Sequence, residues 1–145
     1  MRTRVHSRSP EETFGAGESL ARHLAAGDVV LLSGPLGAGK SVFARGVARA
    51  FGAMTWRGSP TYNLVHEYPT VPPLYHADLY RLAPAGIDDI GLEEYARPDA
   101  VLMVEWADRD PALIASMATN RALRVSIVPQ GESERIVVID DCEAA

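Results

Sequence analysis

The sequence has 145 residues, 47% of them hydrophobic, with 14 basic and 19 acidic side chains and a formal net charge of −5. The negative balance argues against a broad nucleic-acid-coating surface, although it does not exclude a protein partner that holds nucleic acid. The single cysteine, Cys142, excludes a disulfide framework, and no apolar stretch approaches the ~20 residues of a membrane span. We therefore expect a cytoplasmic protein without a membrane span, folded as one domain over residues 1–145 with the last ~10 residues as a flexible tail.

The predicted elements follow from the hydrophobic period and from residues that start or stop helices. Ser9 is a helix N-cap before Pro10, and Glu12 stands three residues after the cap, so a helix is expected from here to about Ala26. Strands mixed with helices indicate an α/β sandwich with a mixed sheet. In chain order, the predicted elements are an edge strand at 2–8, the helix from Pro10, a buried strand at 29–33, a helix at 41–51, strands at 63–68 and 74–80, a helical piece at 87–96, a strand at 100–106, and a hairpin of 122–128 with 135–140.

Residues 34–41 (GPLGAGKS) directly follow the strand at 29–33 and match G-x-x-x-x-G-K-[ST], the P-loop or Walker A pattern. Glycines let backbone N–H groups surround phosphate oxygens, and the following helix directs its positive end at the same anion. A chance match is the alternative, but the strand before the loop and the helix after it favour nucleotide binding. The predicted nucleotide contacts are Leu36, Gly37, Ala38, Gly39, Lys40, Ser41 and Val42.

Lys40 is the only lysine in the sequence. Its compact ammonium group suits the ring of loop amides and reaches the β- and γ-phosphates, where the broad guanidinium of arginine would not enter. Ser41 would place a hydroxyl on Mg²⁺. Because the guanine-reading pattern [NT]-K-x-D needs a second lysine, ATP is favoured over GTP.

An acidic residue ends the apolar run 101–106 (VLMVEW). Glu105 stands where P-loop enzymes carry a Walker B acid, which holds Mg²⁺ directly or through water. The alternative is a strand that ends at the surface in an ordinary charged residue. Trp106 comes next, and it is predicted either to stack at the nucleotide or to pack in the core.

Three other segments carry polar residues for which the sequence leaves alternatives open. Thr61 lies in a loop (RGSPTYN) where P-loop proteins place a threonine that senses the γ-phosphate, and a plain Ser-Pro turn is the alternative. Asp78 is predicted to orient water or support the metal, or else to pair with Arg81. His66 and His76 fall on neighbouring strands, where hydrogen-bonded structural histidines are commoner than a metal pair.

Taken in order, the segments GPLGAGKS, SPTYNLVHEY, HADLYRL, GLEEY and VEWADR resemble the TsaE (YjeE) family, small ATPases of bacterial tRNA threonylcarbamoyladenosine (t6A) synthesis. The likeness covers most of residues 10–128. It implies a P-loop NTPase-like three-layer sandwich, with a mixed central sheet flanked by helices. It also implies ATP and Mg²⁺ as cofactors and ATP hydrolysis that is feeble in the isolated protein.

The resemblance further implies partners and site residues. The partners are TsaB and TsaD homologues. They form a complex that transfers threonylcarbamoyl to adenosine 37 of tRNAs reading ANN codons, and this chain would interact with tRNA only indirectly, through that complex. Many members carry GKTT in the P-loop, whereas here Ser41 keeps the first hydroxyl and Val42 replaces the second. By position, the catalytic residues are Lys40, Thr61, Asp78 and Glu105, the metal ligands are Ser41 and Glu105, and the neighbour of the nucleotide is Trp106.

Two other functions also fit a P-loop. A small-molecule kinase would transfer phosphate to an acceptor, but its lid would fall at 83–98, where the charged side chains are mostly acidic and Arg97 is the single arginine. A non-hydrolysing binding module would dock on partners according to its nucleotide state. Measuring phosphate transfer, phosphate release or neither separates the three functions.

Overall fold

The computed structural model describes residues 2–58, 65–79, 91–107 and 110–142. Within these residues the chain forms strands, α-helices and a short 3-10 helix at Leu92–Tyr95. The strands are β1 (Arg2–Ser7), β2 (Val29–Ser33), β3 (Val65–Tyr68), β4 (Leu74–Asp78), β5 (Val101–Glu105), β6 (Ala122–Gln130) and β7 (Glu134–Asp141). The helices are α1 (Pro10–Ala21), α2 (Lys40–Ala50) and α3 (Pro111–Ser116).

All the described strands belong to one mixed sheet with the order β1-β7-β6-β2-β5-β4-β3. The four central strands β6, β2, β5 and β4 run parallel to one another, and the outer pairs β1–β7, β7–β6 and β4–β3 are antiparallel. Parallel strands are normally covered on both faces, which accounts for the nearly continuous apolar sequences of β2 and β5. As a result, the carboxyl ends of four strands lie along one edge of the sheet.

Successive residues of β2 point to opposite faces of the sheet and supply two separate apolar clusters. Val30 and Leu32 belong to the cluster that α1 and α2 cover, with Phe43 of α2 fully buried in it. Leu31 belongs to the other cluster, together with Ile114 of α3. The predicted α/β sandwich of a mixed sheet between helices is therefore confirmed. None of the described helices is long and apolar enough to cross a bilayer.

Helix α1 is shorter than the sequence predicts. It ends at Ala21 rather than near Ala26, because the next amides donate to carbonyl groups three residues earlier instead of four. His23 N donates to the Leu20 carbonyl (2.8 Å) and Leu24 N to the Ala21 carbonyl (3.2 Å). The amide of Ala25 then donates to the carboxylate of Asp28 at 2.8 Å. The N-terminal prediction is confirmed, since Ser9 Oγ accepts from Glu12 N at 3.1 Å.

Two further differences concern the C-terminal part of the chain. Helix α3 was not predicted, although Asp110 caps it by accepting from Leu113 N at 3.3 Å and Pro111 occupies its first turn. The predicted hairpin of 122–128 with 135–140 is confirmed as β6 and β7, and residues 136–141 of the expected flexible tail belong to β7, which lies between β1 and β6. Of the predicted helical piece at 87–96, the described part is the 3-10 helix at Leu92–Tyr95.

Candidate nucleotide-binding site

Three neighbouring strands end at one edge of the sheet, and the candidate residues stand at those ends. In α/β folds this edge, beyond the carboxyl ends of parallel strands, is where ligands bind. The loop 34–41 follows β2, Glu105 is the last residue of β5, and Asp78 is the last residue of β4. In the register of the sheet, Glu105 lies opposite Leu32 on one side and Asp78 on the other. The fold thus brings both candidate acids to the start of the P-loop.

The P-loop backbone depends on glycine at its two ends. Gly34 has φ of 147°, and a Cβ there would lie 2.4 Å from the Ile127 carbonyl oxygen of β6. Gly39 has φ of 105° and is the N-cap of α2, where no side chain caps the helix. Between them, Ala38 N donates to the Pro35 carbonyl at 3.0 Å and closes a turn. The loop therefore leads directly into the N-terminus of a helix, where backbone N–H groups favour a bound anion.

Lys40 is 5% exposed, and its ammonium group lies against the loop that precedes it. Nζ donates to the carbonyl oxygens of Gly34 and, at 3.0 Å, of Pro35. It also lies 3.9 Å from the centroid of the Trp106 ring, a cation–π contact. The positive charge is thus held against the first residues of the P-loop.

Trp106 packs as one of its two predicted alternatives requires, and stacking at the nucleotide stays a prediction. Its ring packs against the apolar cluster that contains Leu31 and Ile114, and it also contacts Lys40. Its backbone has φ of 62°, which is rare for a residue other than glycine. Backbone strain of this kind is concentrated at functional sites, where surrounding contacts maintain it.

Glu105 is 2% exposed, which excludes the interpretation of an ordinary charged residue at the surface. Its Oε2 lies 2.5 Å from Nε2 of His76 on β4, which is fully buried. Trp56 stacks on the ring of the histidine, with ring centroids 5.4 Å apart. His76 and Asp78 are two residues apart in β4 and therefore lie on the same face of the sheet. This strand thus supplies both the hydrogen-bond partner of Glu105, which is His76, and a second acid beside it, which is Asp78.

The structure supports hydrogen-bonded roles for the two strand histidines. His66 and His76 are cross-strand partners, but His66 Nδ1 lies 3.2 Å from the Gly58 carbonyl oxygen. Burial, followed by the charge of Arg57, lowers the pKa of His66 below its ordinary value. Because a carbonyl oxygen only accepts, Nδ1 of His66 is the donor in this contact. Within the described ranges no group of three or more His, Cys, Asp or Glu side chains could hold a metal ion.

The remaining predicted residues lie around the loop or outside the described part of the chain. Leu36 is 70% exposed at the tip of the P-loop. Ser41 is exposed in the first turn of α2, and Val42 beside it is half-buried. Thr61 and Arg81 lie outside the described residues, so the roles predicted for them stay predictions.

The described residues fit a nucleotide with a magnesium ion. An eleven-residue helix without a side-chain cap begins at the loop, and a lysine is held inside the loop. The hydroxyl of Ser41 and the carboxylates of Glu105 and Asp78 are hard oxygen donors of the kind that Mg²⁺ prefers. The residues are thus of the right chemistry to hold both a polyphosphate and its cation.

Comparison with known proteins identifies the family. The model of the family described as "Threonylcarbamoyl adenosine biosynthesis protein TsaE" matches residues 7–137. This chain belongs to the TsaE family. The resemblance inferred from the motifs is therefore confirmed.

Individual TsaE proteins are similar over most of their length. The chain is 38% identical over 128 residues to the tRNA threonylcarbamoyladenosine biosynthesis protein TsaE of Bacillus subtilis, covering 88% of this chain and 78% of that protein. The TsaE protein of Treponema pallidum is 37% identical over 123 residues, covering 84% and 91% respectively. The crystal structure of Bacillus subtilis YdiB is similar with a TM-score of 0.75 and 33% identity, covering 96% of this chain and 84% of that one.

Two side chains in and around this TsaE site were not singled out from the sequence. His76 was considered only as one of a histidine pair, although its spacing of two from Asp78 places both on one face of a strand. Arg135 of β7 donates to two carbonyl groups of the P-loop, at Gly37 (3.3 Å) and Ala38 (2.9 Å). Nothing in the local sequence around Arg135 signals that contact, because the hairpin and the loop meet only in the folded sheet.

Proposed function

We propose that this TsaE-family chain binds ATP with Mg²⁺ at residues 34–41 and hydrolyses the ATP. The observation that carries the proposal is the meeting of Lys40, Glu105 and Asp78 at the carboxyl ends of adjacent parallel strands. A phosphate loop followed by a helix supplies the anion site, and the buried carboxylate beside it supplies a site for the cation. These are the parts from which P-loop enzymes build phosphoryl transfer.

Each residue has a definite task in this proposal. The Lys40 ammonium exchanges its carbonyl partners for the β- and γ-phosphate oxygens and neutralises charge that develops on the leaving phosphate. Ser41 and Glu105 would hold the magnesium ion, which would supply further charge neutralisation. Asp78 or Glu105 orients the attacking water. Trp106 keeps Lys40 beside the phosphates through its ring.

The proposed biological role is that of the ATP-hydrolysing subunit in t6A modification of ANN-decoding tRNAs, in the cytoplasm. The chain would act with TsaB and TsaD homologues and drive turnover of the threonylcarbamoyl-transfer complex. Membership of a family named for threonylcarbamoyl adenosine biosynthesis supports this role. The isolated chain is expected to turn over slowly, with a partner completing the site.

The first experiment measures ATP binding by calorimetry and phosphate release for the wild type, Lys40→Met and Lys40→Arg. Both variants should lose ATP binding, because methionine removes the charge and the arginine fork does not fit the ring of amides. Undiminished ATP binding by Lys40→Met would overturn the proposed site. Melting temperatures measured in parallel show whether each variant remains folded.

The second experiment tests the partner and the reaction. Phosphate release is measured for the chain alone and with purified TsaB and TsaD homologues, and t6A is quantified in tRNA after depletion of the chain in cells. We expect slow release alone, faster release with both partners, and loss of t6A on depletion. Brisk release by the isolated chain, or unchanged t6A, contradicts the proposal, and phosphate transfer to a small acceptor would indicate a kinase.

A further inference from the structure

We propose that Arg135 is a positioning residue that fixes the peptide groups of the P-loop for ATP binding, an inference that rests on the proposed function. Arg135 is half-buried near the start of β7. Its Nε donates to the Ala38 carbonyl (2.9 Å) and its Nη2 to the Gly37 carbonyl (3.3 Å). Its Nη1 donates to the carbonyl of Glu134 at 2.8 Å, so the guanidinium is held from its own strand as well.

These bonds act on the loop through the planarity of the peptide. In a trans peptide the carbonyl and the next amide point in opposite directions. When Arg135 holds the Ala38 carbonyl on the outside of the loop, the amide of Gly39 is directed to the inside. The same bonds keep two carbonyl oxygens, each with a partial negative charge, turned away from the place of an anionic phosphate. In the nucleotide-free protein, Arg135 therefore already turns the N–H donors of the loop toward the phosphate site and its carbonyl acceptors away from it.

The fold gives Arg135 a fixed place from which to act. Strand β7 lies between β1 and β6, and Arg135 is paired in register with Ser7 on one side and Pro129 on the other. The hairpin of β6 and β7 also contacts the beginning of the loop, where the Ile127 carbonyl of β6 leaves no room for a Cβ on Gly34. The C-terminal hairpin thus supports the P-loop at both its start and its middle.

Arginine suits this task better than lysine. Its planar fork donates in fixed directions to two successive carbonyl groups, whereas an ammonium group is a single point charge on a flexible stem. A role that depends on charge alone would survive replacement by lysine. A role in orienting two peptides would not.

The test compares Arg135→Gln and Arg135→Lys with Arg4→Gln, which removes an exposed arginine of β1 that lies opposite Val138 rather than at the loop. Amide hydrogen exchange of residues 34–41 is measured without nucleotide, and ATP affinity is measured by calorimetry. We expect faster loop exchange and at least about tenfold weaker ATP binding for Arg135→Gln, since bonds from charged donors are lost. Arg135→Lys should weaken binding several-fold, and Arg4→Gln should match the wild type.

The outcomes separate this inference from the proposed function. If the wild type does not bind ATP, the proposed function fails, and the exchange rates in the nucleotide-free protein still test the contact of Arg135 with the loop. Equal loop exchange for Arg135→Gln and Arg4→Gln overturns the inference, as does faster exchange with unchanged ATP affinity. If Arg135→Gln does not fold, Arg135→Lys decides, and an ATP affinity equal to that of the wild type overturns the inference.

Discussion

Nε2 of His76 lies 2.5 Å from Oε2 of Glu105, and both side chains are buried. A carboxylate taken out of water without hydrogen-bond donors is costly, so a hydrogen bond from His76 lowers the cost of burying Glu105. For His76 to donate to Glu105, Nε2 must carry a proton. No partner for its Nδ1 is found among the described residues. The histidine thereby orients the acid that is the candidate magnesium ligand.

Replacement of His76 by phenylalanine should test this contact directly. The variant His76→Phe keeps an aromatic ring against Trp56 but leaves the Glu105 carboxylate without that donor. We expect the free energy of unfolding to fall by about 1–3 kcal/mol, measured by urea denaturation. His66→Phe is the matched control, because it removes the contact of a half-buried histidine to the Gly58 carbonyl and should cost less. Equal stability of His76→Phe and the wild type would contradict a supporting role for His76.

Replacement of Glu105 by glutamine separates charge from shape at the proposed metal site. Glu105→Gln retains the side-chain volume and an oxygen that accepts from His76, but it removes the negative charge. We expect ATP binding without Mg²⁺ to be retained and Mg²⁺-dependent hydrolysis to fall at least about 100-fold, the scale of one lost transition-state contact. Asp99→Asn is the control, since Asp99 is an exposed carboxylate paired with Arg97. Unchanged Mg²⁺ dependence in Glu105→Gln would exclude Glu105 as a metal ligand.

The part of the site that could be predicted from the sequence is the part whose residues are close together along the chain. Strand β2, the loop 34–41 and helix α2 follow one another directly, so the apolar run, the glycines and Lys40 predict the element order and the anion site together. The acid at the end of β5 was also predictable, because an apolar run that ends in a carboxylate is a local pattern. The mixed sheet followed from the alternation of strands and helices.

The missed features depend on contacts between distant segments. His76 and Glu105 are 29 positions apart, and Arg135 and Ala38 are 97 apart, so no short window contains both partners. Strand register brings them together, and register depends on the packing of the whole sheet. The end of α1, by contrast, is set by local bonds between residues three apart. The amide of Ala25 donates to the carboxylate of Asp28, which also accepts from the backbone amide of Arg121, the residue before the neighbouring strand β6.

The single cysteine offers a pH-dependent prediction. Burial, reinforced by the negative charges of Asp140 and Asp141 and opposed by Arg124, raises the pKa of the Cys142 thiol above its ordinary value. Because only the thiolate reacts, alkylation by iodoacetamide should be slow at pH 7, and its rate should level off at a higher pH in the folded protein than in the unfolded chain. The control is the same protein in urea, where burial is lost and the rate should level off at lower pH. A plateau near pH 8 in the folded protein would contradict the raised pKa.

The close approach of α1 and α2 predicts opposite effects of two glycine-to-alanine substitutions. A Cβ on Gly46 of α2 would lie 2.1 Å from the Phe14 carbonyl oxygen of α1, and one on Gly17 of α1 would lie 2.2 Å from the Phe43 carbonyl oxygen of α2. Because backbone atoms cannot move aside as a side chain can, Gly46→Ala should force the helices apart and cost about 1–3 kcal/mol. Gly15→Ala meets nothing within 4 Å and should stabilise α1 by about 0.5–1 kcal/mol.

Urea denaturation of the two alanine variants measures these changes, and ATP calorimetry connects them to the site. The N-terminus of α2 forms one wall of the P-loop, so a helix displaced by Gly46→Ala should also bind ATP more weakly, whereas Gly15→Ala should bind as the wild type does. If Gly46→Ala is as stable as Gly15→Ala, the helices do not require their glycine contact. If it is destabilised but binds ATP normally, the position of α2 is set at its loop end, by Gly39 and the bonds of the P-loop, rather than by its packing against α1.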